Sequence, residues 1–516
     1  TTGLRAGEAS EISITVENQG FLPLRNLIIS TEPDWGSKQI IYLSEGQKAE
    51  ISFSGISPNI PGDFMFTLML NAMTLDGREV SQEHDFNLQV SPLGMEMVHE
   101  PIELGKSPYF VSQPVGPERS DVFFGRATLI EQIKRQVSSG NTVLLEGNRR
   151  SGKSSILKHL EGTEPVKGWL GVYCSFQGAS GSEEATGMPT DEVWREIVRS
   201  IASGLVSLGV EVHLPDGTTL LPGKSLGIEK ACQRGIGTDS PWNDFRDYLS
   251  FVMQTLSVKS LGLLLMLDEF DKLQEGIDNG VTSPQTPENI RYLIQSTSNL
   301  TAILTGALTM RRLREEYWSA LYGLGHKIGV SALDRDSALR LVTEPVKDRL
   351  IYLKEAAEHA VHLTSRQPYL LQCLCNRIFE LVAQVKTRTI TFDLVNRAGQ
   401  DLVNDNEHLA ALWRYAGSSM RRFILALLQK NTSEGQDMDL GLILEGLLHY
   451  GVEISEENLI EDLEFLRRLE LVRLEGRFSR GRYALEIPLM GIWIEKHQDF
   501  AAVLSRARQE SEEQYG

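Results

Sequence analysis

The stretch "LLEGNRRSGKSSIL", Leu144–Leu157, decides how this chain is read. An apolar run, Val143–Leu145, leads into G-x-x-x-x-G-K-S at Gly147, Gly152, Lys153 and Ser154, and a helical pattern follows. Each position has a physical task. The glycines let backbone N–H groups curl around a phosphate, Lys153 brings a point charge to the β/γ oxygens, and Ser154 offers a hydroxyl to Mg²⁺. The whole loop, Gly147, Asn148, Arg149, Arg150, Ser151, Gly152, Lys153, Ser154 and Ser155, is therefore expected to hold nucleotide phosphates. The strand before and the helix after are the context the motif requires.

Phosphate binding alone organises neither a metal nor an attacking water, so a second element is sought. It stands in "LGLLLMLDEFDKL", Leu261–Leu273, where an apolar run ends in Asp268 and Glu269. Such a run reads as a buried parallel strand, and its carboxylates would lie at the carboxyl edge of the sheet, where ligands of open α/β sheets bind. Asp268 is expected to steady Mg²⁺ and Glu269 to orient or deprotonate water. Asp271 reads equally as a cap for the next segment and as a further contact of the metal. A third strand, "LTAILTGAL", ends in Thr305, whose hydroxyl is placed to sense a γ-phosphate. Three strands with polar ends, separated by helical stretches, imply a doubly wound α/β core over residues 121–325.

"FFGR" at Phe123–Arg126, the phosphate loop, "LLLMLDEFDKL", "AILTG" and the later "TSRQPYLLQ", in this order, resemble the STAND group of AAA+-related signal-transduction ATPases, in particular members close to the origin-recognition ATPases. The similarity covers residues 108–495. It implies a P-loop ATPase that binds ATP or ADP with Mg²⁺ and turns over slowly. It further implies that Phe124, Gly125 and Arg126 lie near the adenine, that Pro368 meets the base or ribose, and that Thr305 is the first sensor. Many members carry an arginine directly after the sensor strand. Here Gly306 and Ala307 follow, and Arg311, Arg312 and Arg314 come later. The arginine that meets the γ-phosphate is left open among these, with Arg149 and Arg150 as further candidates.

Outside this core, residues 1–90 alternate apolar and polar in short runs such as "EISITV" and "FMFTLML", with Asp76-Gly77 as a hairpin turn. This predicts an all-β sandwich, which resembles the immunoglobulin-like modules appended to other domains. Residues 91–120 hold Pro92, Pro101, Pro108, Pro114 and Pro117 and read as a linker. Residues 326–405 read as a helical domain, and 406–500 as a winged helix of three helices followed by the hairpin "LVRLEGRFSRGRYALEI". Residues 501–516 read as a polar tail. The third helix, Ser455–Glu470, carries six acids against Arg467 and Arg468 and would repel DNA, so only the wing arginines Arg473, Arg477, Arg480 and Arg482 offer a basic patch.

A formal charge of -18 and a pI near 5.2 weigh against general nucleic-acid affinity. No apolar run reaches the ~20 residues of a membrane helix. No secretory pattern is seen at the start, and the four cysteines (Cys174, Cys232, Cys373, Cys375) lack paired metal or redox spacing, so buried thiols and a cytoplasmic location are expected. The first functional expectation is a nucleotide-dependent switch that assembles with itself or with a protein partner through the sandwich or the helical lid. The alternative is a DNA-associated ATPase of the initiator, loader or transposition-helper type. A small-molecule kinase ranks last, because Asp268-Glu269 suits water activation, and a scaffold with a degenerate pocket is disfavoured because Lys153, Ser154, Asp268 and Glu269 are all present.

Overall fold

The computed structural model describes residues 4–5, 7, 9–58, 62–91, 104–109, 111, 113–177, 187–210, 212–213, 219–220, 235–306, 325–385, 387–405, 407–433, 438–476 and 481–515. The chain divides into two units, Thr1–Glu100 and Pro101–Gly516.

In the first unit the alternating runs become β1 (Leu4–Arg5), β2 (Ala9–Glu17), β3 (Leu24–Glu32), β4 (Ser37–Leu43), β5 (Lys48–Ile56), β6 (Gly62–Thr74) and β7 (Glu79–Ser91). They form a five-stranded sheet in the order β1-β7-β6-β3-β4 and a separate pair, β2–β5. Ile12 and Phe53 of the pair and Leu27, Ile29, Phe64, Phe66 and Leu68 of the larger sheet share one core. The period-two pattern thus buries one face of each sheet. The Asp76-Gly77 turn joins β6 to β7 as expected, with Gly77 at φ +82° and the Thr74 amide bonded to the Arg78 carbonyl at 2.9 Å. His84 is exposed.

The second unit begins with α1 (Ala127–Ser138), β8 (Thr142–Glu146), α2 (Lys153–Lys158), β9 (Gly162–Val166), β10 (Trp169–Ser175), α3 (Thr190–Ser207) and α4 (Pro241–Val258). There follow β11 (Gly262–Asp268), α5 (Asp271–Asp278), α6 (Thr286–Ser296), β12 (Leu300–Gly306) and β13 (Gly325–Gly329). The sheet order is β13-β8-β12-β11-β10-β9, parallel throughout except for β9 against β10. Every residue of β11 and β12 is buried, as expected of strands covered on both faces. Leu264, Met266 and Ile303 pack with α1 and α2, whereas Leu263, Leu265, Ala302 and Leu304 pack with α3, α4 and α6. The expected doubly wound α/β core is therefore present.

The longer elements that follow are α7 (Arg335–Thr343), α8 (Lys354–Leu363), α9 (Pro368–Val385), α10 (Phe392–Asp405), α11 (Glu407–Tyr415), α12 (Ser419–Ser433), α13 (Leu440–His449), α14 (Glu456–Arg468), β14 (Val472–Glu475), β15 (Arg482–Leu485), α15 (Pro488–His497) and α16 (Phe500–Tyr515). The antiparallel pair β14–β15 follows three helices.

Three boundaries differ from expectation. The latter part of the segment read as a linker belongs to the second unit: Leu104, Tyr109, Val115 and Val122 lie in the core of the helical region. The Tyr109 hydroxyl donates to the Val342 carbonyl at 2.7 Å, and Arg349 donates to the carbonyls of Leu104 and Lys106 at 2.9 and 2.8 Å. Pro117 opens a short 3-10 helix, Pro117–Val122, within this stretch. Next, the regions 326–405 and 406–500 are not separately cored, because residues from α7 through α15 share one hydrophobic cluster. Finally, 501–516 is no tail. Val503, Ala507 and Ser511 recur every four residues on α16 and are buried, and the Ser419 amide donates to Glu510 at 2.6 Å. Polar composition hides so narrow a stripe.

Cys174, Cys373 and Cys375 are buried free thiols, and Cys232 lies outside the described residues. Among the described residues no helix is long and apolar enough to cross a membrane.

Candidate nucleotide-binding site

The phosphate loop leaves β8 at Glu146 and enters α2 at Lys153. Two glycines are required by the geometry. A Cβ on Gly147 would meet the Val330 carbonyl oxygen at 2.5 Å, and Gly152 caps α2 at φ +97°. Arg150, also in the left-handed region at φ +66°, holds a conformation costly for a side chain-bearing residue. Buried Lys153 donates to the carbonyls of Gly147 and Asn148, each at 2.9 Å, so its ammonium is held inside the curl of its own loop.

The sheet order brings the acids to this loop. Because β12 is inserted between β8 and β11, the carboxyl ends of three adjacent strands present the loop, Thr305 and Asp268 side by side. Asp268 is 2% exposed and heavily bonded. One carboxylate oxygen accepts from the Thr305 hydroxyl and from the Glu269 amide at 3.0 Å, and the other accepts from the Tyr173 hydroxyl at 2.9 Å. Burial and the neighbouring Asp268 charge raise the Tyr173 pKa, which keeps this hydroxyl a donor. Glu269 is turned out of the strand by a left-handed backbone, φ +53°.

A cavity of about 470 Å³ lies over these groups. Its floor includes Lys153, Ser154, Ser155, Asp268, Glu269 and Thr305. Its roof is Pro368, Tyr369 and Gln372 from α9, Leu412 and Tyr415 from α11, and Leu469 and Leu471 flanking the end of α14. Val111 and Gln113–Val115 complete one wall, with the Val115 amide bonded to Ser155 Oγ at 2.9 Å. The loop arginines tie floor to roof. Arg149 donates to the Tyr415 hydroxyl at 2.8 Å, and the Arg150 guanidinium lies 3.9 Å from the centre of the Tyr369 ring, a cation–π contact of ~0.5–2 kcal/mol. Behind Tyr369, buried His408 is pushed down to about 3, first by burial and then by Arg150 and Arg149.

The end of α14 is unusual. The Leu471 amide bonds to the Leu466 carbonyl and the Glu470 amide to the Arg467 carbonyl, at 3.0 and 2.9 Å, which places Glu470 where a helix-ending motif ordinarily takes glycine. Glu470 adopts φ +54° there, a strain of ~1–2 kcal/mol for a residue with a Cβ. Burial raises its pKa, while Asn148, Arg126 and Lys153 act in the opposite direction.

Of the residues expected from sequence, Asn148, Arg149, Arg150, Gly152, Lys153, Ser154, Ser155, Asp268, Glu269, Thr305 and Pro368 line one cavity. Gly147 and Ser151 complete the loop beneath it. Phe124, Gly125 and Arg126 do not line it. Phe124 lies beside Arg340, Gly125 abuts Ser337, and buried Arg126 donates to the carbonyls of Ser151 and Ser331 at 3.0 and 2.7 Å. Arg126 therefore braces the loop from behind. Arg311, Arg312 and Arg314 lie outside the described residues. Tyr173, Tyr369, Tyr415, Glu470 and the wall before Val115 were not foreseen, since none carries a local motif.

No family model matches the chain, and no curated protein matches it. Solved structures do. The Walker-type ATPase PABY2304 of Pyrococcus abyssi is similar at 18% identity and a TM-score of 0.50, over 75% of this chain and 100% of that one. The ORC2 protein of Aeropyrum pernix, in ADPNP–ADP complexes, matches at 15% identity and a TM-score of 0.47, over 80% and 98%. Cdc6p from Pyrobaculum aerophilum matches at 15% identity and a TM-score of 0.37, over 78% and 97%. At 18% identity the likeness to the Pyrococcus abyssi protein is one of fold.

Proposed function

We propose that this chain is a Mg²⁺-dependent ATP switch of the STAND type, slow in turnover, whose nucleotide state sets how the helical region and the α12–β15 region, read as a winged helix, close on the core. One observation carries this reading: the cavity floor is phosphate-loop chemistry, while its roof comes from α9, α11 and the end of α14. A nucleotide held there touches both parts, so its presence or absence biases their arrangement.

The residues present fit the ligands. Close approach at Gly147, the left-handed Gly152 and the curled Lys153 suit phosphate oxygens. Ser154 and Asp268 would hold Mg²⁺, which when bound neutralises phosphate charge. Asp268 is pre-positioned by the Thr305 and Tyr173 hydroxyls, so no reorganisation is needed there. Glu269 orients the attacking water and takes its proton. Tyr369, Tyr415 and Leu412 exclude bulk water from above. The first unit, read as an immunoglobulin-like module, serves as the partner-binding or assembly element.

Lys153→Ala is expected to abolish nucleotide binding, whereas Glu269→Gln retains ATP and loses turnover. Calorimetric titration together with phosphate release checks this, and undiminished hydrolysis by Glu269→Gln sinks the catalytic assignment. The order of three helices and a hairpin also favours a second reading, a DNA-associated ATPase. It requires salt-sensitive duplex binding that weakens with Arg482→Ala. Against it, the end of α14 faces the nucleotide cavity, and Arg473 is engaged by Glu475 at 2.9 Å and the Leu485 carbonyl at 2.7 Å.

A further inference from the structure

Two successive arginines of the phosphate loop each meet a tyrosine of the cavity roof. Arg149 Nη1 donates to the Tyr415 hydroxyl at the end of α11 at 2.8 Å, and the Arg150 guanidinium lies 3.9 Å from the centre of the Tyr369 ring on α9. All four residues line the cavity whose floor holds Lys153, Glu269 and Thr305. The two contacts differ in what can replace them. Arg150 rests on a ring face, where the attraction comes from the π cloud and asks for no anion. Arg149 bonds a hydroxyl, and a guanidinium gains by exchanging a hydroxyl for phosphate, because the new pair is bidentate and joins opposite charges. Arg149 is also exposed, so it gives up no packed position when it turns. Lys272, another cation of the lining, already pairs with Glu275 at 2.5 Å.

From this arrangement we infer that Arg149 reads the γ-phosphate of a bound nucleoside triphosphate and leaves the Tyr415 hydroxyl to do so, whereas a diphosphate leaves the Arg149–Tyr415 bond in place. The inference rests on the switch reading above and deepens it, by naming the residue that tells triphosphate from diphosphate. Arg149 touches the ligand, and Tyr415 is a positioning residue that holds it until a third phosphate arrives. Tyr415 closes α11, so the exchange unties the roof at α11 while Arg150 keeps its seat on α9. The two nucleotide states then differ by one tie between floor and roof, which is the difference in contacts that a ligand needs in order to shift a conformational equilibrium.

The test is titration calorimetry of the full chain with ADP and with a non-hydrolysable ATP analogue, both with Mg²⁺, for wild type, Arg149→Gln and Tyr415→Phe. Arg149→Gln is expected to weaken the analogue by about 10- to 100-fold, the worth of hydrogen bonds to a charged group, and to leave ADP within about twofold. Tyr415→Phe removes the partner that phosphate must displace. It destabilises the empty and ADP-bound states alike, so the analogue should bind roughly two- to tenfold more tightly while ADP is unchanged. A merely structural tie between loop and roof predicts the opposite sign, with both ligands weakened. Equal weakening of the two ligands by Arg149→Gln overturns the inference. So does a Tyr415→Phe chain that binds the analogue no more tightly than wild type. If wild type binds neither ligand, the nucleotide reading itself falls, and this inference with it.

Discussion

Thr305 makes the reading of the site testable by a single methyl-for-hydroxyl exchange. Its side chain is fully buried, donates to one Asp268 carboxylate oxygen and accepts from the Glu269 amide at 3.2 Å. Thr305→Val keeps the shape and removes both bonds. Asp268 then keeps the Glu269 amide and the Tyr173 hydroxyl as donors. A hydrogen bond to a charged group contributes ~1.5–3 kcal/mol net. If that energy holds Asp268 in its working orientation, turnover falls by about 10- to 100-fold. The assay is phosphate release across a Mg²⁺ series, with ADP affinity measured without metal. We expect a higher Mg²⁺ requirement, the stated loss of turnover and little change in metal-free ADP binding. Wild-type turnover with wild-type Mg²⁺ dependence would refute the placement of Asp268 as the metal-side carboxylate.

Three other consequences follow from the geometry. Tyr369→Ala removes the ring on which Arg150 rests and part of the roof, so nucleotide should leave faster while Lys153 still binds phosphate; stopped-flow release of a labelled ADP reads this directly. His408 titrates near 6.5 when unfolded and about 3 when folded, so the unfolded chain binds the extra proton in that window. Stability is full above the unfolded value and falls as pH drops, by about 2 kcal/mol between roughly pH 7 and pH 5, a loss that His408→Gln should largely remove in denaturant titrations. Ala507→Asp places a carboxylate in the buried seam of α16 against α12 and should destabilise the second unit by ~2–4 kcal/mol, visible as a lower thermal midpoint. A harmless Ala507→Asp would return this segment to the status of a tail.

The turn from β8 into α2 was legible because its signals are local, with Gly147 and Gly152 standing where the backbone requires them. β11 and β12 were legible because strands covered on both faces must be continuously apolar, and Asp268 and Thr305 near their ends line the cavity. Strand order was not legible. That β12 lies between β8 and β11, and so couples Thr305 to Asp268, depends on pairing between segments far apart in sequence. Tyr173 gave no sign of its role, being one aromatic residue in an apolar strand. Glu470 was visible only as one more acid in the charge of the third helix, since nothing in the sequence marks its left-handed backbone. The stretch before Val122 misled because prolines dominate its pattern, although Leu104, Tyr109, Val115 and Val122 are the residues that the fold buries.

Hydrogen exchange of residues 456–475 in the Glu269→Gln chain, with and without ATP and Mg²⁺, goes most directly to the proposed switch. Nucleotide should change exchange in α14 and β14 as well as in the phosphate loop, because the junction between them roofs the cavity. Protection confined to the loop and α2, with α14 and β14 indifferent to bound ATP, would contradict a switch and leave a nucleotide site without a moving part.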